Sequence, residues 1–261
     1  MHINLNNKVA IITGAANGIG KTIAKEMAKE GVHLALWDRN ISNLRNTAEE
    51  ILEYHSKVIA IKCDVKSNTQ IKNALEKTIS EFGTVDILIA NAGIANVQKF
   101  YEMSEDDWSE IYDINTKGVF LCAKAVSPIL QKKKCGRIIL ASSFAAIVPA
   151  VGGSAYASSK SAISSMARVM AAELGPWNIT VNAYAPGMIP SNMSRIDKLS
   201  EKRKEEMLNS LSIREWGRAE DIASLVIFLS SDQARYITGT TIDASGGKFA
   251  VQFGAQAYTE D

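Results

Sequence analysis

The chain has 261 residues, of which 46% are hydrophobic and 22% are charged, and its formal net charge is +1. This balance is typical of a folded soluble protein, and it excludes both a disordered chain and a strongly basic nucleic-acid-binding protein. The three cysteines lack CxxC spacing and the three histidines are scattered, which excludes a disulfide framework and a clustered metal site.

Short β-branched runs alternate along the chain with longer helical patterns. Strands are predicted at Val9–Ile12, Leu34–Trp37, Val58–Cys63, Val85–Ala90, Arg137–Ala141, Ile179–Ala183 and Thr241–Asp243. Helices are predicted at residues 19–29, 41–54, 67–82, 114–133, 156–174 and 219–230. This alternation requires right-handed crossovers and predicts an α/β protein whose parallel sheet carries helices on both faces.

A single doubly wound domain accounts for residues 1–247, because no linker or repeat interrupts the pattern. The remaining tail, 248–261, has an alternating Phe249, Val251 and Phe253, which indicates either packing on a neighbouring subunit or a frayed terminus. The start of the chain lacks the pattern of a signal peptide, and polar residues interrupt the most apolar stretch. We therefore expect a cytoplasmic protein that neither spans a membrane nor binds nucleic acid.

A glycine-rich turn leads from the first strand into the first helix. Gly14, Gly18 and Gly20 allow a tight turn and a close approach of the backbone to a pyrophosphate, and Asn17 and Ile19 lie between them. The start of the helix adds free N–H groups and the positive end of its dipole. The spacing GxxxGxG is also compatible with a turn that binds nothing, but its position between strand and helix favours a dinucleotide site.

Asp38 ends the second strand, about twenty residues after the glycines. A carboxylate there accepts hydrogen bonds from both ribose hydroxyls and repels a 2′-phosphate, which favours NAD over NADP. Arg39 keeps NADP possible, because a guanidinium can hold a phosphate. The alternative role of Asp38 is to cap a turn.

Two further loops follow predicted strands at the same edge of the sheet. Asp64 and Val65 follow the third strand, where Asp64 would meet an adenine ring, and Asn91, Ala92 and Gly93 follow the fourth. Each loop has a common composition. Their position matters because open α/β sheets bind ligands at the carboxyl ends of their strands.

Tyr156 and Lys160 are four residues apart on one face of a predicted helix. A neighbouring ammonium lowers the pKa of a phenol, and such a tyrosine can exchange a proton with an alcohol or ketone. Ser143 would hold the substrate oxygen. Asn115 would fix a water or the helix bend beside Lys160, or it would be a buried structural amide.

These residues, in this order, resemble the short-chain dehydrogenase/reductase family in its form of about 250 residues. The resemblance rests on TGAANGIG (13–20), CDV (63–65), ANAG (90–93), the four residues Asn115, Ser143, Tyr156 and Lys160, PG (186–187) and the closing segment 217–247. It implies a seven-stranded Rossmann fold, a catalytic Asn/Ser/Tyr/Lys tetrad, and a homotetramer or homodimer that pairs through the helices at 114–133 and 156–174.

The resemblance also places residues around the nicotinamide and the substrate. Pro186, Gly187, the Ile189 backbone and Ser191 would face the cofactor, although family members usually carry threonine where Ser191 stands. Residues 188–215 would form a lid over the substrate, or else a plain surface helix. The expected pocket residues are Ser143, Ala145, Val151, Gly152, Tyr156 and Gly187. We see no cation placed in this wall, which favours a neutral substrate.

Three functions fit these patterns. The first is an NAD-dependent oxidoreductase that interconverts a secondary alcohol and its ketone, a small-molecule substrate. The second is a 3-oxoacyl-carrier-protein reductase, a class that usually takes NADPH. A basic groove near Lys132, Lys133 and Arg137 would support it. The third is an NAD(H)-binding sensor without catalysis, which an intact tetrad disfavours.

Overall fold

The computed structural model describes residues 3–54, 56–191, 193–194, 196–248, 250–251 and 254–258. The predicted alternation in the tail depends on Phe249 and Phe253, which lie outside these residues.

The described residues form a seven-stranded parallel sheet in the order β3-β2-β1-β4-β5-β6-β7. The strands are β1 Val9–Thr13, β2 His33–Asp38, β3 Val58–Lys62, β4 Ile87–Ala90, β5 Gly136–Ala141, β6 Ile179–Pro186 and β7 Thr241–Ala244. The predicted parallel α/β architecture is therefore confirmed, with strand boundaries that differ from the predictions by up to three residues.

Eight α-helices of the described chain accompany the sheet. They are α1 Gly18–Lys29, α2 Ile41–Ile51, α3 Asn68–Phe82, α4 Glu105–Tyr112, α5 Val119–Lys133, α6 Ser154–Leu174, α7 Glu201–Leu208 and α8 Ala219–Ser230. Local chemistry sets several of their ends. The Ser67 hydroxyl accepts from Gln70 N at the start of α3, and Gly83 ends that helix with φ +74°.

Side chains of alternate strand residues point to opposite faces of the sheet, and each face carries its own helices. In β1, Ala10 and Ile12 pack with α1, α2 and α8, whereas Ile11 packs with α3, α5 and α6. Continuously apolar strands are what a sheet covered on both faces requires. None of the described helices combines the length and apolar character needed to cross a bilayer.

The region before α5 differs from the prediction of one helix at 114–133. Helix α4 precedes it, and a π-helical turn at Asp113–Gly118 joins the two. A π-turn inserts one extra residue into the helical ladder and often marks a functional position. Here it contains Asn115.

Gly187, which follows β6, is packed against the end of β7. A Cβ at this position would lie 2.5 Å from Ser245 Cα and 2.9 Å from Ser245 O, so backbone atoms would have to move. We expect Gly187→Ala to lower the free energy of unfolding by about 1–3 kcal/mol through this overpacking. Denaturant unfolding measures the change.

The matched control is Gly175→Ala. A Cβ on Gly175 meets nothing within 4 Å, and its backbone is helical. This variant should keep its stability or gain up to about 1 kcal/mol, because alanine restricts the unfolded chain. Equal losses in the two variants would contradict the packing argument.

Candidate active site

The strand order reverses between β1 and β4, which are neighbours in the centre of the sheet. The chain leaves β1 toward β2 and β3 on one side, and leaves β4 toward β5 and β6 on the other. The two connections therefore diverge and open a crevice at the carboxyl ends of the central strands, where open α/β sheets bind ligands. The glycine turn and the Asn91–Gly93 loop both lie at this crevice.

The three glycines of the first turn serve different purposes. Gly14 has φ +68°, and a Cβ on it would lie 2.8 Å from Ala92 Cα. A Cβ on Gly20 would lie 2.2 Å from Gly14 O, so this glycine lets α1 pack against the turn. Gly18 has φ +54°, and a Cβ on it would meet nothing within 4 Å, so the backbone there borders open space. These features fit a turn that a pyrophosphate approaches closely.

The amino end of α1 is built to remain open. Asn17 precedes Gly18 in an extended conformation, and its side chain does not cap the helix. Its Oδ1 accepts instead from Asn43 Nδ2 at 3.4 Å. The first N–H groups of the helix thus keep their positive dipole end directed at the crevice, and Ile19 lies partly buried beside it.

Asp38 is held beside the glycine turn by two backbone contacts. Its carboxylate accepts from Ala16 N at 3.1 Å and from Asn40 N at 2.8 Å. The side chain therefore connects the ends of β1 and β2. It caps the turn after β2 and also lies beside the glycine turn. Arg39 is exposed.

The loop after β3 lies next to the π-turn. Asp64 Oδ1 accepts from Lys66 N at 3.0 Å and so shapes the loop. Val65 is buried, and a Cβ on Gly118 would lie 2.8 Å from its Cγ2. The glycine thus lets α5 approach the loop that carries both residues.

Asn91 connects the central strands at the crevice. Its Nδ2 donates to Thr13 O at 3.1 Å and to Gly14 O at 3.2 Å, while its Oδ1 accepts from Tyr184 OH at 2.9 Å. Ala92 N donates in turn to the Thr13 hydroxyl at 3.0 Å. The amide therefore ties the glycine turn to β6 across the face of β4 and β5.

Lys160 is the buried cation of the site. Its ammonium donates to Ala141 O at 2.7 Å and lies 5.9 Å from the centre of the Tyr156 ring. A Cβ on Gly93 would lie 3.3 Å from both Lys160 Nζ and Asn115 Oδ1, so these groups flank Gly93. Burial lowers the pKa of Lys160 to about 8.

Asn115 is fully buried and its side chain is held by three hydrogen bonds. Nδ2 donates to Ile94 O and to the Ser159 hydroxyl, and Oδ1 accepts from Ile94 N. Ile94 follows the Asn91–Gly93 loop, and Ser159 adjoins Lys160. The amide therefore fixes the loop after β4 against α6, which is the structural role that the sequence left open.

Tyr156 and Ser143 meet through their hydroxyl groups. Burial raises the pKa of Tyr156 above its usual value, and the hydrogen bond with Ser143 lowers it by a smaller amount. The expectation that Lys160 would lower the pKa of this tyrosine is wrong for this structure, because the ammonium is directed at Ala141 O and desolvation dominates.

The segment after β6 is the one that the sequence predicts to face the nicotinamide. Pro186 ends β6, Gly187 packs on Ser245, and the Ile189 side chain is buried. The Ser191 hydroxyl accepts from Ser194 N at 3.2 Å, and Ser191 N donates to the Ser194 hydroxyl at 2.9 Å. Ser191 therefore closes a local turn.

An open cleft of about 510 Å³ lies between the loops that follow β4 and β5. It is lined by Lys99, Phe100, Tyr101 and residues 149–154, which include the expected Val151 and Gly152. Ala145 is buried next to Ser143, whose hydroxyl accepts from Ala145 N. Lys99 also lines this cleft, a cation that the sequence analysis did not place near Val151 and Gly152.

Sequence reasoning missed Tyr184, which lies 93 positions from its partner Asn91. A tyrosine in an apolar strand gives no local signal beyond the need of a buried hydroxyl for a hydrogen-bond partner. Ser159, whose hydroxyl accepts from Asn115 Nδ2 at a separation of 44 positions, was missed for the same reason. Within the described ranges, no group of three or more His, Cys, Asp or Glu side chains could hold a metal ion.

Comparison with known proteins agrees with this geometry. The model of the family described as enoyl-(acyl carrier protein) reductase matches residues 14–248. A 3-oxoacyl-[acyl-carrier-protein] reductase of Staphylococcus epidermidis is 36% identical over 247 residues, which cover 93% of this chain and 99% of that protein.

Two solved structures extend the comparison. A short-chain type dehydrogenase/reductase from Mycobacterium marinum is 31% identical with a TM-score of 0.89, over 95% of this chain and 98% of its own. A 7α-hydroxysteroid dehydrogenase complexed with NADH and 7-oxo glycochenodeoxycholic acid is 34% identical with a TM-score of 0.90, over 94% and 95% of the two chains.

Burial of the charged Lys160 side chain should lower the free energy of unfolding, and a neutral side chain at the same position should raise it again. Its pKa is about 8 in the folded protein and 10.5 ordinarily, so below pH 8 both states hold the proton and the full cost is present. We expect Lys160→Met to raise the free energy of unfolding at pH 7 by roughly 1–3 kcal/mol, less than the full desolvation cost because the bond to Ala141 O is lost.

Between pH 8 and 10.5 the unfolded chain holds more protons than the folded one, so the wild type gains stability with pH and the advantage of Lys160→Met should shrink. Urea unfolding at several pH values measures this. Lys124→Met, which removes an exposed lysine from α5, is the control and should change little. A variant that is less stable than the wild type at pH 7 would refute the argument.

Tyr184→Phe should weaken binding of the dinucleotide, because the Asn91 amide loses the bond that orients it toward the glycine turn. We expect the Kd for NADH to rise about tenfold, the equivalent of one lost buried hydrogen bond. Fluorescence titration measures it. The control Ser230→Ala removes a buried hydroxyl that donates to Val226 O within α8, and it should leave the Kd unchanged.

A double variant tests whether Tyr184 acts through Asn91. If it does, Tyr184→Phe combined with Asn91→Ala binds NADH no more weakly than Asn91→Ala alone. Additive losses would show that Tyr184 acts by another route.

Proposed function

The chain belongs to the short-chain dehydrogenase/reductase family, and on that premise we propose that it is an NAD-dependent oxidoreductase that interconverts a secondary alcohol and its ketone. The observation that carries the proposal is the hydroxyl pair of Tyr156 and Ser143 beside the switch-point crevice, with the buried ammonium of Lys160 5.9 Å from the centre of the Tyr156 ring. A glycine turn and a proton-transfer group thus meet at one edge of the sheet.

The chain's own residues fit a nicotinamide dinucleotide. The open space beside Gly18 and the uncapped start of α1 would receive the phosphates, and Asp38 would hold a ribose. Gly93, with Lys160 and Asn115 on either side, leaves room next to the catalytic groups. When bound, the nicotinamide accepts or supplies the hydride.

The protein supplies the proton and its path. Tyr156 would donate a proton to the ketone oxygen, or accept one from the alcohol, while Ser143 holds the same oxygen. The raised pKa of Tyr156 keeps the hydroxyl protonated at neutral pH, a state suited to reduction of a ketone.

Asp38 supports NAD rather than NADP. Two backbone N–H groups fix its carboxylate beside the glycine turn, so it cannot swing away from a 2′-phosphate without losing both bonds. The negative charge repels that phosphate. For NADP to bind, the exposed Arg39 would have to attract the 2′-phosphate more strongly than Asp38 repels it.

A second candidate is 3-oxoacyl-carrier-protein reduction, which the name of the Staphylococcus relative favours. A basic groove near Lys132, Lys133 and Arg137 would support it, but two of these three residues are engaged in ion pairs. Arg137 is buried and pairs with Asp232, and Lys133 pairs with Asp86. Both lie at or near the start of β5, at the edge of the sheet opposite the crevice.

Pairing of α5 and α6 with other copies remains part of the proposal. Phe120 on α5 and Val169 on α6 are exposed large apolar side chains, and such residues on two adjacent helices support a homotetramer or homodimer.

Turnover with NADH and NADPH in parallel, on a panel of ketones and 3-oxoacyl thioesters, tests the function. We expect NADH-linked reduction of ketones, and Asp38→Ala should weaken NADH binding and relax the rejection of NADPH.

Tyr156→Phe should lower kcat by about a hundredfold or more with little change in NADH binding. NADPH-linked turnover of thioesters alone would favour the carrier-protein reductase instead, and retained turnover in Tyr156→Phe would refute the role of the tyrosine.

A further inference from the structure

The cleft between the loops after β4 and β5 carries large apolar side chains that are in contact with water. Phe100 is 78% exposed, Tyr101 is 75% exposed and Val151 is 94% exposed, and all three line this cleft. Val97, on the same loop as Phe100, is also exposed. Large apolar side chains that gather on two neighbouring loops, rather than being scattered singly, mark a binding surface.

The two walls of the cleft are joined by close backbone contacts. Gln98 N donates to Gly152 O at 3.0 Å, and a Cβ on Gly152 would lie 2.9 Å from Val97 Cγ1. The Gln98 side chain also donates from Nε2 to Asp107 Oδ2 on α4, at 3.3 Å. The loop after β4 is thereby tied to both α4 and the loop after β5, so an anchored backbone presents the apolar side chains.

The cleft opens beside the groups that would hold the carbonyl. Its wall ends at Gly153 and Ser154, where α6 begins, and Gly153 O accepts from Ala157 N at 2.7 Å. Residues three positions apart share one side of a helix, so Tyr156 lies on the same side of α6 as Gly153. A ketone held at Tyr156 and Ser143 would therefore have one substituent within reach of the cleft.

The lysine and the serine that line the cleft are engaged with neighbouring side chains. The Lys99 ammonium lies 3.9 Å from Glu102 and 5.7 Å from the centre of the Tyr101 ring. The Ser154 hydroxyl donates to Met103 Sδ at 3.9 Å. Because the Lys99 side chain is 61% exposed and lies beside a carboxylate, it adds little attraction for an anion. The surface that remains for a ligand is mainly apolar.

The size and shape of the cleft fit a small molecule with a ring. Its volume of about 510 Å³ lies within the range of about 300–1,000 Å³ that is usual for ligand pockets. The adjacent rings of Phe100 and Tyr101 present flat apolar surfaces, which bury a large area when they pack against another ring.

We propose that Phe100, Tyr101 and Val151 form the specificity pocket for the substrate, so that the preferred ketone carries an uncharged apolar ring on one side of its carbonyl. This inference rests on the proposed alcohol–ketone function and names the substrate class of that site. The carbonyl is held at Ser143 and Tyr156, and the ring packs in the cleft against Phe100 and Tyr101. Removal of these apolar surfaces from water stabilises the complex.

The test compares three methyl ketones in NADH-linked reduction by the full-length enzyme. The first carries a cyclohexyl ring, the second carries a tetrahydropyranyl ring of the same shape, and the third is butanone. We expect kcat/KM to favour the cyclohexyl ketone over each of the others by about tenfold or more, because its wholly apolar ring gains most from leaving water.

Variants of the pocket test which residue recognises the ring. Phe100→Ala should remove most of the preference, with a larger rise in KM for the cyclohexyl ketone than for butanone, and Phe100→Leu should retain it. Because Phe100 is 78% exposed, its truncation should leave the fold intact. The control Leu52→Ala removes an exposed apolar side chain after α2 and should keep the preference.

The contrary outcomes separate this inference from the proposed function. Equal kcat/KM for the two ring ketones, or a preference that Phe100→Ala leaves intact, would overturn the apolar pocket while the proposed function stands. Equal losses on all three ketones in Phe100→Ala would also overturn it, and a concurrent change in oligomeric state on size-exclusion chromatography would identify a subunit contact instead. Absence of turnover on every ketone would overturn the proposed function and this inference with it.

Discussion

The side-chain amide of Asn91 is the contact on which the geometry of the crevice depends. A parallel sheet whose order reverses between two central strands leaves a gap, because the connections on either side diverge. Asn91 lies at this gap, where its Nδ2 donates to Thr13 O and Gly14 O. Its Oδ1 accepts from the Tyr184 hydroxyl, which orients the amide. The glycine turn, the loop after β4 and the β6 strand thus take their relative positions from one partly buried hydrogen-bond network.

The same burial that builds the site works against its charged groups. Burial removes water from the Lys160 ammonium, which lowers its pKa. Burial also removes water from the Tyr156 hydroxyl, which raises its pKa. Both shifts move the groups toward their neutral forms. Burial thus brings the pKa of the Lys160 ammonium close to neutral pH at some cost in stability, and it keeps the Tyr156 hydroxyl protonated.

The substrate region has a different construction from the cofactor region. The cofactor side is made of strand ends and backbone turns that the central sheet fixes rigidly. The proposed substrate side lies at the loops after β4 and β5, and residues 210–213 of the predicted lid are attached to the residues after β7 through Gly246, Gly247 and Lys248.

The sequence by itself determined the features that depend on neighbouring residues. The strand–glycine–helix unit at the start of the chain and the pairing of Tyr156 with Lys160 one turn apart both follow from short-range spacing, and so does the alternation that predicts a parallel sheet. The π-turn at the start of the predicted helix 114–133 did not follow from it, because the helical periodicity continues through that region.

Only the tertiary structure decided which distant groups meet. Tyr184 and Asn91 are 93 residues apart, and Lys248 and Ser210 are 38 residues apart, so no local pattern joins them. The direction of the Tyr156 pKa shift was likewise undetermined, because it depends on how deeply the ring is buried and where the Lys160 ammonium points. Burial and long-range contacts are properties of the packed chain, and spacing along the sequence does not contain them.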